Sequence, residues 1–325
     1  RHPKNLPGEI PGKGSNAAWA GKEAKRLIID DLKIPYENIL VSVFDVDTQV
    51  FPDYFGCLTY NFLHAPDPQH SSYQPVPFFT NNIYQAPALA RVVAFSATFW
   101  QMTLQSRADR LVTFSSHSMP FKALVEVGFW QTDVVSEDSR IFWQCYLHNN
   151  GNWRVVPLLY PVSMDANAAP TFWKTMINLY KQQRRWGYGC ENIPYLLGGF
   201  IKNKLIPLKK KIFWVLNQIE GMHSWATNSL MVFALGWLPV LMGGKVFDTT
   251  ILSYNLPYIT RNIVSIASIG IASSAILALI LLPQKPKWFK PYHYLGYLLQ
   301  WILTPFTLII FGSLPALEAQ TRLML

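Results

Sequence analysis

Apolar positions fall into two regimes along this chain. Up to about residue 222 they come in short runs among polar and charged residues; beyond it they lengthen into almost uncharged stretches at residues 225–242, 263–282 and 294–314. Each approaches the ~20 residues that an α-helix needs to cross ~30 Å of hydrocarbon. Pro239 and Pro305 interrupt two of them, which membrane helices tolerate. Three such runs in succession predict transmembrane helices rather than buried helices of a large soluble core.

The first part predicts shorter elements. Ser15, followed by NAAWAGKEAKRLI, reads as the N-cap of a helix. Residues 39–44 (ILVSVF) form an apolar, β-branched run that reads as a buried parallel strand ending at Asp45. Pro52 opens a helix reaching Leu63, and residues 65–77 read as a polar, proline-containing loop. Residues 89–104 read as a helix, 111–114 as a strand, 137–146 as a helix and 153–159 as a strand. From Thr171 a helix carries Trp173, Met176, Ile177 and Tyr180 on one face and leads into residues 182–186. This alternation predicts an α/β domain over residues 1–190. Residues 193–206 (IPYLLGGFIKNKLI) mix apolar residues with lysines. They read either as a segment in a membrane interface or as a surface helix packed on the domain, with two glycines weakening the helix. The predicted order is therefore an α/β domain, an interfacial linker over 191–222 and a membrane region over 223–325.

Charge orients these parts. Lys202, Lys204, Lys209, Lys210 and Lys211 precede the first apolar stretch, and Lys285, Lys287 and Lys290 lie between the second and third. The intervening loop has only Lys245 and, at its far end, Arg261. The positive-inside rule then places the α/β domain in the cytosol, on a multi-pass protein of the cytoplasmic membrane. The expected partner is therefore a lipid bilayer and not nucleic acid. Three scattered cysteines, Cys57, Cys145 and Cys190, read as reduced cytosolic thiols. Seven dispersed histidines without HxxxH spacing argue against a zinc site. The chain opens on Arg1, and RHPKNLPGEIPGKG reads as a loop inside a domain that began earlier.

Several clusters carry chemistry. Asp45-Val46-Asp47 follows an apolar strand, where α/β sheets place ligands, and two carboxylates so spaced suit one hard divalent cation; a solvated turn is the alternative. Glu137-Asp138 opens a helix, where acids favour the helix dipole; Asp138 is otherwise a candidate general base. Residues 182–186 (QQRRW) end a helix. Their basic residues suit the helix C-terminus, or else Arg185 partners a diphosphate and Trp186 offers a stacking surface. Residues 12–17 (GKGSNA) match GxGxxA by letter but lack the preceding strand of a dinucleotide site. His117 has no evident partner in the sequence and reads as a loop or core histidine.

Taken in order, GKGSNAAWA, DVDTQVFPDY, EVGFWQTDVVSEDSRIFWQ and QQRRW followed by transmembrane stretches resemble the family-2 processive glycosyltransferases, the group of cellulose, chitin and hyaluronan synthases. The resemblance implies a partial GT-A (Rossmann-like) domain whose first nucleotide-binding strands are absent, followed by an interfacial segment and transmembrane α-helices. It implies Asp45 and Asp47 as the DxD pair for Mg²⁺ or Mn²⁺, and Asp138, with Glu137 beside it, as the catalytic acid pair, here in SED rather than TED. Gln182, Arg185 and Trp186 match QxxRW, and Lys13 and Asn16 lie in the segment lining the donor site. The implied partners are a nucleotide-diphosphate sugar and a polysaccharide acceptor. A lipid acceptor and a non-catalytic membrane scaffold are the competing readings.

Overall fold

The computed structural model describes residues 2–3, 6–235 and 238–325. Arg1, Lys4 and Asn5 of the opening loop, and Gly236 and Trp237 of the first apolar stretch, lie outside them. In chain order the helices are α1 (Lys13–Ala24), α2 (Tyr54–His64), α3 (Ala88–Gln105), α4 (Phe121–Glu126), α5 (Glu137–His148), α6 (Phe172–Gly187), α7 (Asn192–Lys202), α8 (Leu208–Leu235), α9 (Leu238–Met242), α10 (Gly244–Asp248), α11 (Ile251–Ile280), α12 (Pro291–Leu299), α13 (Thr304–Leu308) and α14 (Leu314–Met324). The strands are β1 (Leu40–Ser42), β2 (Gln49–Val50), β3 (Ser71–Phe78), β4 (Ser118–Pro120) and β5 (Arg154–Ser163). The chain divides into two compact units. One holds Arg1–Phe79, Ala97–Asp165 and Tyr188–Ile219; the other holds Thr80–Ser96, Ala166–Gly187 and Glu220–Leu325.

The first unit is an α/β body built on a mixed sheet of order β1-β4-β3-β5-β2. Its bounds differ from the single stretch 1–190 that the sequence suggests, since residues 80–96 and 166–187 fall in the other unit and 191–219 fall in this one. Only β3 and β5 run parallel. The run at 39–44 forms a strand over Leu40–Ser42 alone, half-buried at the sheet edge and antiparallel to β4. This corrects the buried parallel strand: β-branched residues favour a pleated surface without specifying a partner's direction.

The interior strand β3 comes from the segment that reads as a loop. Prolines are excluded from ladders on both sides, yet Pro75 and Pro77 fit because β4 pairs with β3 only at Tyr73. Side chains replace the missing ladder. The Gln105 Nε2 donates to the Gln74 carbonyl at 3.0 Å and the Thr98 hydroxyl to that of Pro77 at 3.0 Å. Residues 111–114 form no strand; the Phe114 amide instead donates to the Gln74 side-chain oxygen at 2.7 Å. Ser15 is also not a cap. The helix begins two residues earlier, and the buried Ser15 hydroxyl donates to the Ile10 carbonyl at 2.6 Å.

Among the described residues of this unit, apolar clusters pack on the sheet. Tyr54 and Leu58 of α2 pack with Tyr73, Leu158 and Val162. The larger core joins α1, α4, α5 and α7 to Met119 and Val155. There Trp214, from the start of α8, meets Trp143 and Phe142 edge-on at ring-centroid distances of 5.2 and 5.5 Å; such pairs add about 0.5–1.5 kcal/mol each beyond burial. On α7, Asn192, Leu196 and Phe200 are buried while Leu197 and Ile201 on the other side are exposed. A Cβ at Gly199 would strike Leu147, so that glycine serves close packing on α5.

In the second unit α6 packs on α14. Glu318 takes hydrogen bonds from Arg184 at 2.6 Å and Tyr180 at 2.8 Å, and pairs with Arg322 at 2.8 Å. Among the described residues two segments are long and apolar enough to cross a membrane, Ile251–Ile280 and Pro291–Met324, with mean hydropathies of 2.4 and 1.6. Only 11% of the apolar stretch of the first is buried, unlike the core helix of a soluble domain.

Candidate active site

Three segments distant in sequence meet in the first unit: the start of α1, the turn after β1 and the start of α5. Lys13 is the first residue of α1. It can approach α5 because Gly14 follows it: a Cβ there would lie 2.9 Å from the Glu137 Cβ and 3.0 Å from the Gln131 carbonyl oxygen. The Lys13 ammonium then pairs with Asp45 Oδ1 at 2.7 Å and donates to both carboxylate oxygens of Asp138, at 2.9 and 3.1 Å.

Asp45 and Asp47 lie in the turn between β1 and β2, closed by the Thr48 amide donating to the Asp45 carbonyl at 3.0 Å. The two side chains take different partners. Asp45 faces Lys13, whereas Asp47 Oδ2 accepts from the amide of Asp165, two residues past the end of β5, at 3.1 Å. Val46 between them is fully exposed.

Residues 113–117 bracket the two carboxylate-bearing elements. Ser115 donates to Asp45 Oδ2 at 2.6 Å, and Thr113 donates to the Asp138 carbonyl at 2.6 Å. The buried Gln74 amide clamps this loop like a short strand, accepting from Phe114 N and donating to Ser115 O at 3.0 Å. Sequence reasoning missed Gln74, Thr113 and Ser115. The one local signal is the run of small polar residues (FSSHS) directly after an apolar segment.

Asp138 stands in the first turn of α5. Ser136, before the helix, donates from its amide and hydroxyl to Glu191 at 3.1 and 2.6 Å. One turn on, the buried Arg140 binds Asn192 Oδ1 at 2.5 Å and Gln131 Oε1 at 2.7 Å. A buried charge needs such partners to remain in place. The two acids of the pair separate in role: Glu137 is buried with its Cβ facing Gly14, while Asp138 faces Lys13 and is 22% exposed.

Burial works to lower the Lys13 pKa. The charges of Asp138 and then Asp45, with hydrogen bonds to both, outweigh it and hold the pKa above its ordinary 10.5. His117 shows the opposite balance. Fully buried, it falls below 6.5 because desolvation outweighs the attraction of Asp138, whose Oδ1 lies 3.8 Å from Nδ1. Its Nδ1 bonds the Phe114 carbonyl at 2.9 Å and its Nε2 accepts from Trp130 at 3.4 Å, which fits a neutral ring. The histidine without an evident sequence partner is thus a core residue with several.

Asn16 is exposed on α1, one turn beyond Lys13. Gln182, Arg185 and Trp186 belong to the second unit, on α6, where Arg185 is exposed and Gln182 and Trp186 are half-buried. They share a face at i, i+3 and i+4, while Tyr180 and Arg184 bind Glu318 on α14.

The donor set is consistent with a hard cation. Asp45 and Asp47 offer oxygen only, and no group of three His, Cys, Asp or Glu suited to a metal occurs among the described residues. Magnesium and its like commonly take one or two carboxylates and complete their shell with phosphate and water.

Residues 40–316 match the sequence model of the family described as Glycosyl transferase family group 2. Over 173 residues, 52% of the chain, the sequence is 28% identical to the poly-beta-1,6-N-acetyl-D-glucosamine synthases of Staphylococcus aureus strains COL and MSSA476. The aligned segment covers 39% of the length of each of these relatives.

Proposed function

From the chain's membership of glycosyl transferase family group 2, we propose that it moves a sugar from a nucleotide-diphosphate sugar to a hydroxyl of a growing polysaccharide at a membrane, inverting the anomeric carbon and using a divalent cation. The observation that carries this reading is the convergence of Lys13, Asp45 and Asp138, the outer two 125 residues apart, on one ammonium. A site that sets a base beside a phosphate-binding cation and carboxylates for a metal suits transfer from a diphosphate donor.

Asp138 is the general base. A sugar hydroxyl is a poor nucleophile, and the carboxylate takes its proton as the oxygen attacks the anomeric carbon. The bond from that carbon to the diphosphate breaks, and a single displacement inverts the centre. Lys13 and Asn16 serve the donor side. Gln182, Arg185 and Trp186 serve the diphosphate and acceptor, and Glu137 serves the α1–α5 contact. Asp45 and Asp47 would hold Mg²⁺ or Mn²⁺, which supplies Lewis-acid stabilisation of the departing diphosphate. The exposed apolar surface of α11 and the flanking lysines support a multi-pass protein in the cytoplasmic membrane with the α/β unit in the cytosol.

The relatives are named as synthases of a β-1,6-linked N-acetylglucosamine polymer, so nucleotide-linked N-acetylhexosamines come first in a test. Membranes carrying the full-length protein are given labelled nucleotide sugars with Mg²⁺ or Mn²⁺. Large, solvent-insoluble, glycosidase-sensitive product supports a polymer synthase. A small, organic-soluble product moves the assignment to a lipid acceptor. No transfer from any donor by folded protein leaves the scaffold reading. Asp138→Asn should cut turnover by about 10²–10⁴-fold while donor binding survives; near-normal turnover would show that the base lies elsewhere.

A further inference from the structure

This inference rests on the reading of Asp45 and Asp47 as the cation site. We propose that Lys13 is the resident cation of the resting site, and that a divalent ion gains Asp45 only by displacing it. Both oxygens of Asp45 are engaged, Oδ1 by the Lys13 ammonium at 2.7 Å and Oδ2 by the Ser115 hydroxyl at 2.6 Å. The same ammonium donates to both oxygens of Asp138 and, at 3.3 Å, to the Ser115 hydroxyl. One charged group therefore pairs with the metal carboxylate and the base at once, offsetting one of their two charges.

A dication arriving at Asp45 meets a like charge within contact distance of the same oxygen, and the two repel. The backbone of α1 does not yield easily, because Gly14 is packed against Glu137 and Gln131. The mobile part is the lysine side chain, a flexible four-carbon stem that is 20% exposed and can leave. A diphosphate gives it another anion. Donor and metal then bind in mutual support: the donor draws the ammonium away, frees Asp45 for the metal and uncovers Asp138 for the acceptor. In the absence of donor, metal binds weakly and the base stays covered.

The test titrates the full-length protein with Mn²⁺ alone and follows free Mn²⁺ by electron paramagnetic resonance. Lys13→Met should bind Mn²⁺ about tenfold more tightly than the wild type, the order expected for removing a part-buried ion pair. Lys13→Arg, which keeps the charge, should stay near wild type. Lys22→Met, a lost charge elsewhere on α1, should change little, and Asp45→Asn should abolish the gain. Equal or weaker binding by Lys13→Met, or an equal gain from Lys22→Met, overturns the proposal and leaves the metal site standing. No Mn²⁺ binding by folded wild type and Lys13→Met removes the metal site itself, and this proposal with it. Thermal unfolding checks each variant; if Lys13→Met does not fold, Lys13→Met/Asp138→Asn relieves the unpaired carboxylates and is titrated against Asp138→Asn.

Discussion

A single methyl group at Gly14 sets helix propensity against packing, and the structure fixes the sign. Alanine gains up to about 1 kcal/mol over glycine in a helix interior, and less at the second residue of α1. Against that, the new Cβ would lie 2.9 Å from the Glu137 Cβ and 3.0 Å from both the Gln131 carbonyl oxygen and the Glu137 Cγ. Two of these atoms are a backbone carbonyl and a Cβ tied directly to the helix, so relief requires main-chain movement, at about 1–3 kcal/mol. The net expectation for Gly14→Ala is a loss of about 1–2 kcal/mol. Gly198 is the control. It lies inside α7 with nothing within 4 Å of an added Cβ, so Gly198→Ala should hold or raise stability. The assay is the thermal midpoint of the detergent-solubilised chain, where 1 kcal/mol moves a unit of 150–250 residues by about 2–4 °C. Because Gly14 adjoins Lys13, the same variant should lower sugar transfer, with ion pairs at 2.7 and 2.9 Å disturbed. A midpoint at or above wild type, with normal turnover, would show that the α1–α5 contact does not set the site.

Two other perturbations probe the scaffold. The neutral, buried His117 has a folded pKa below the ordinary 6.5. Its contribution to stability is present above 6.5 and is lost as pH falls from there through the folded value, because only the unfolded chain takes up the proton readily. Unfolding midpoints measured from pH 7.5 downwards should show this loss, and His117→Gln should flatten it; an unchanged profile would place the acid sensitivity on other groups. In the second unit, Glu318→Gln weakens the contacts to Arg184, Tyr180 and Arg322, with an expected loss of about 1 kcal/mol for a partly exposed network. Glu318→Asp should retain part of it, and a midpoint equal to wild type in Glu318→Gln would show that these pairs add nothing.

What the sequence determined by itself was several of the elements, helices above all, and the order of the candidate residues along the chain. The periodicity of α6 and the helix opening at Glu137 are local properties, set by side chains within a few turns of one another, and they emerge where the pattern puts them; α11 contains most of the predicted apolar stretch but begins twelve residues earlier, at Ile251. Asp45 and Asp138 stood out as candidates by type and position, an acid after an apolar run and an acid at a helix start, whereas Lys13 was marked only by the family resemblance. The tertiary structure alone decided who meets whom. The interior strand β3 was hidden by its prolines, because the exemption came from Gln74, Gln105 and Thr98 bonding groups that a ladder would otherwise serve. The edge strand β1 gave no sign of its antiparallel partner, since the choice of partner is a matter of chain topology. Nor could sequence show that Ser115 holds Asp45, that Thr113 holds the helix bearing Asp138, or that Gly14 makes room for Lys13 to reach both acids. Those facts depend on distances between atoms 25 to 125 residues apart, and distance enters only when the chain has folded.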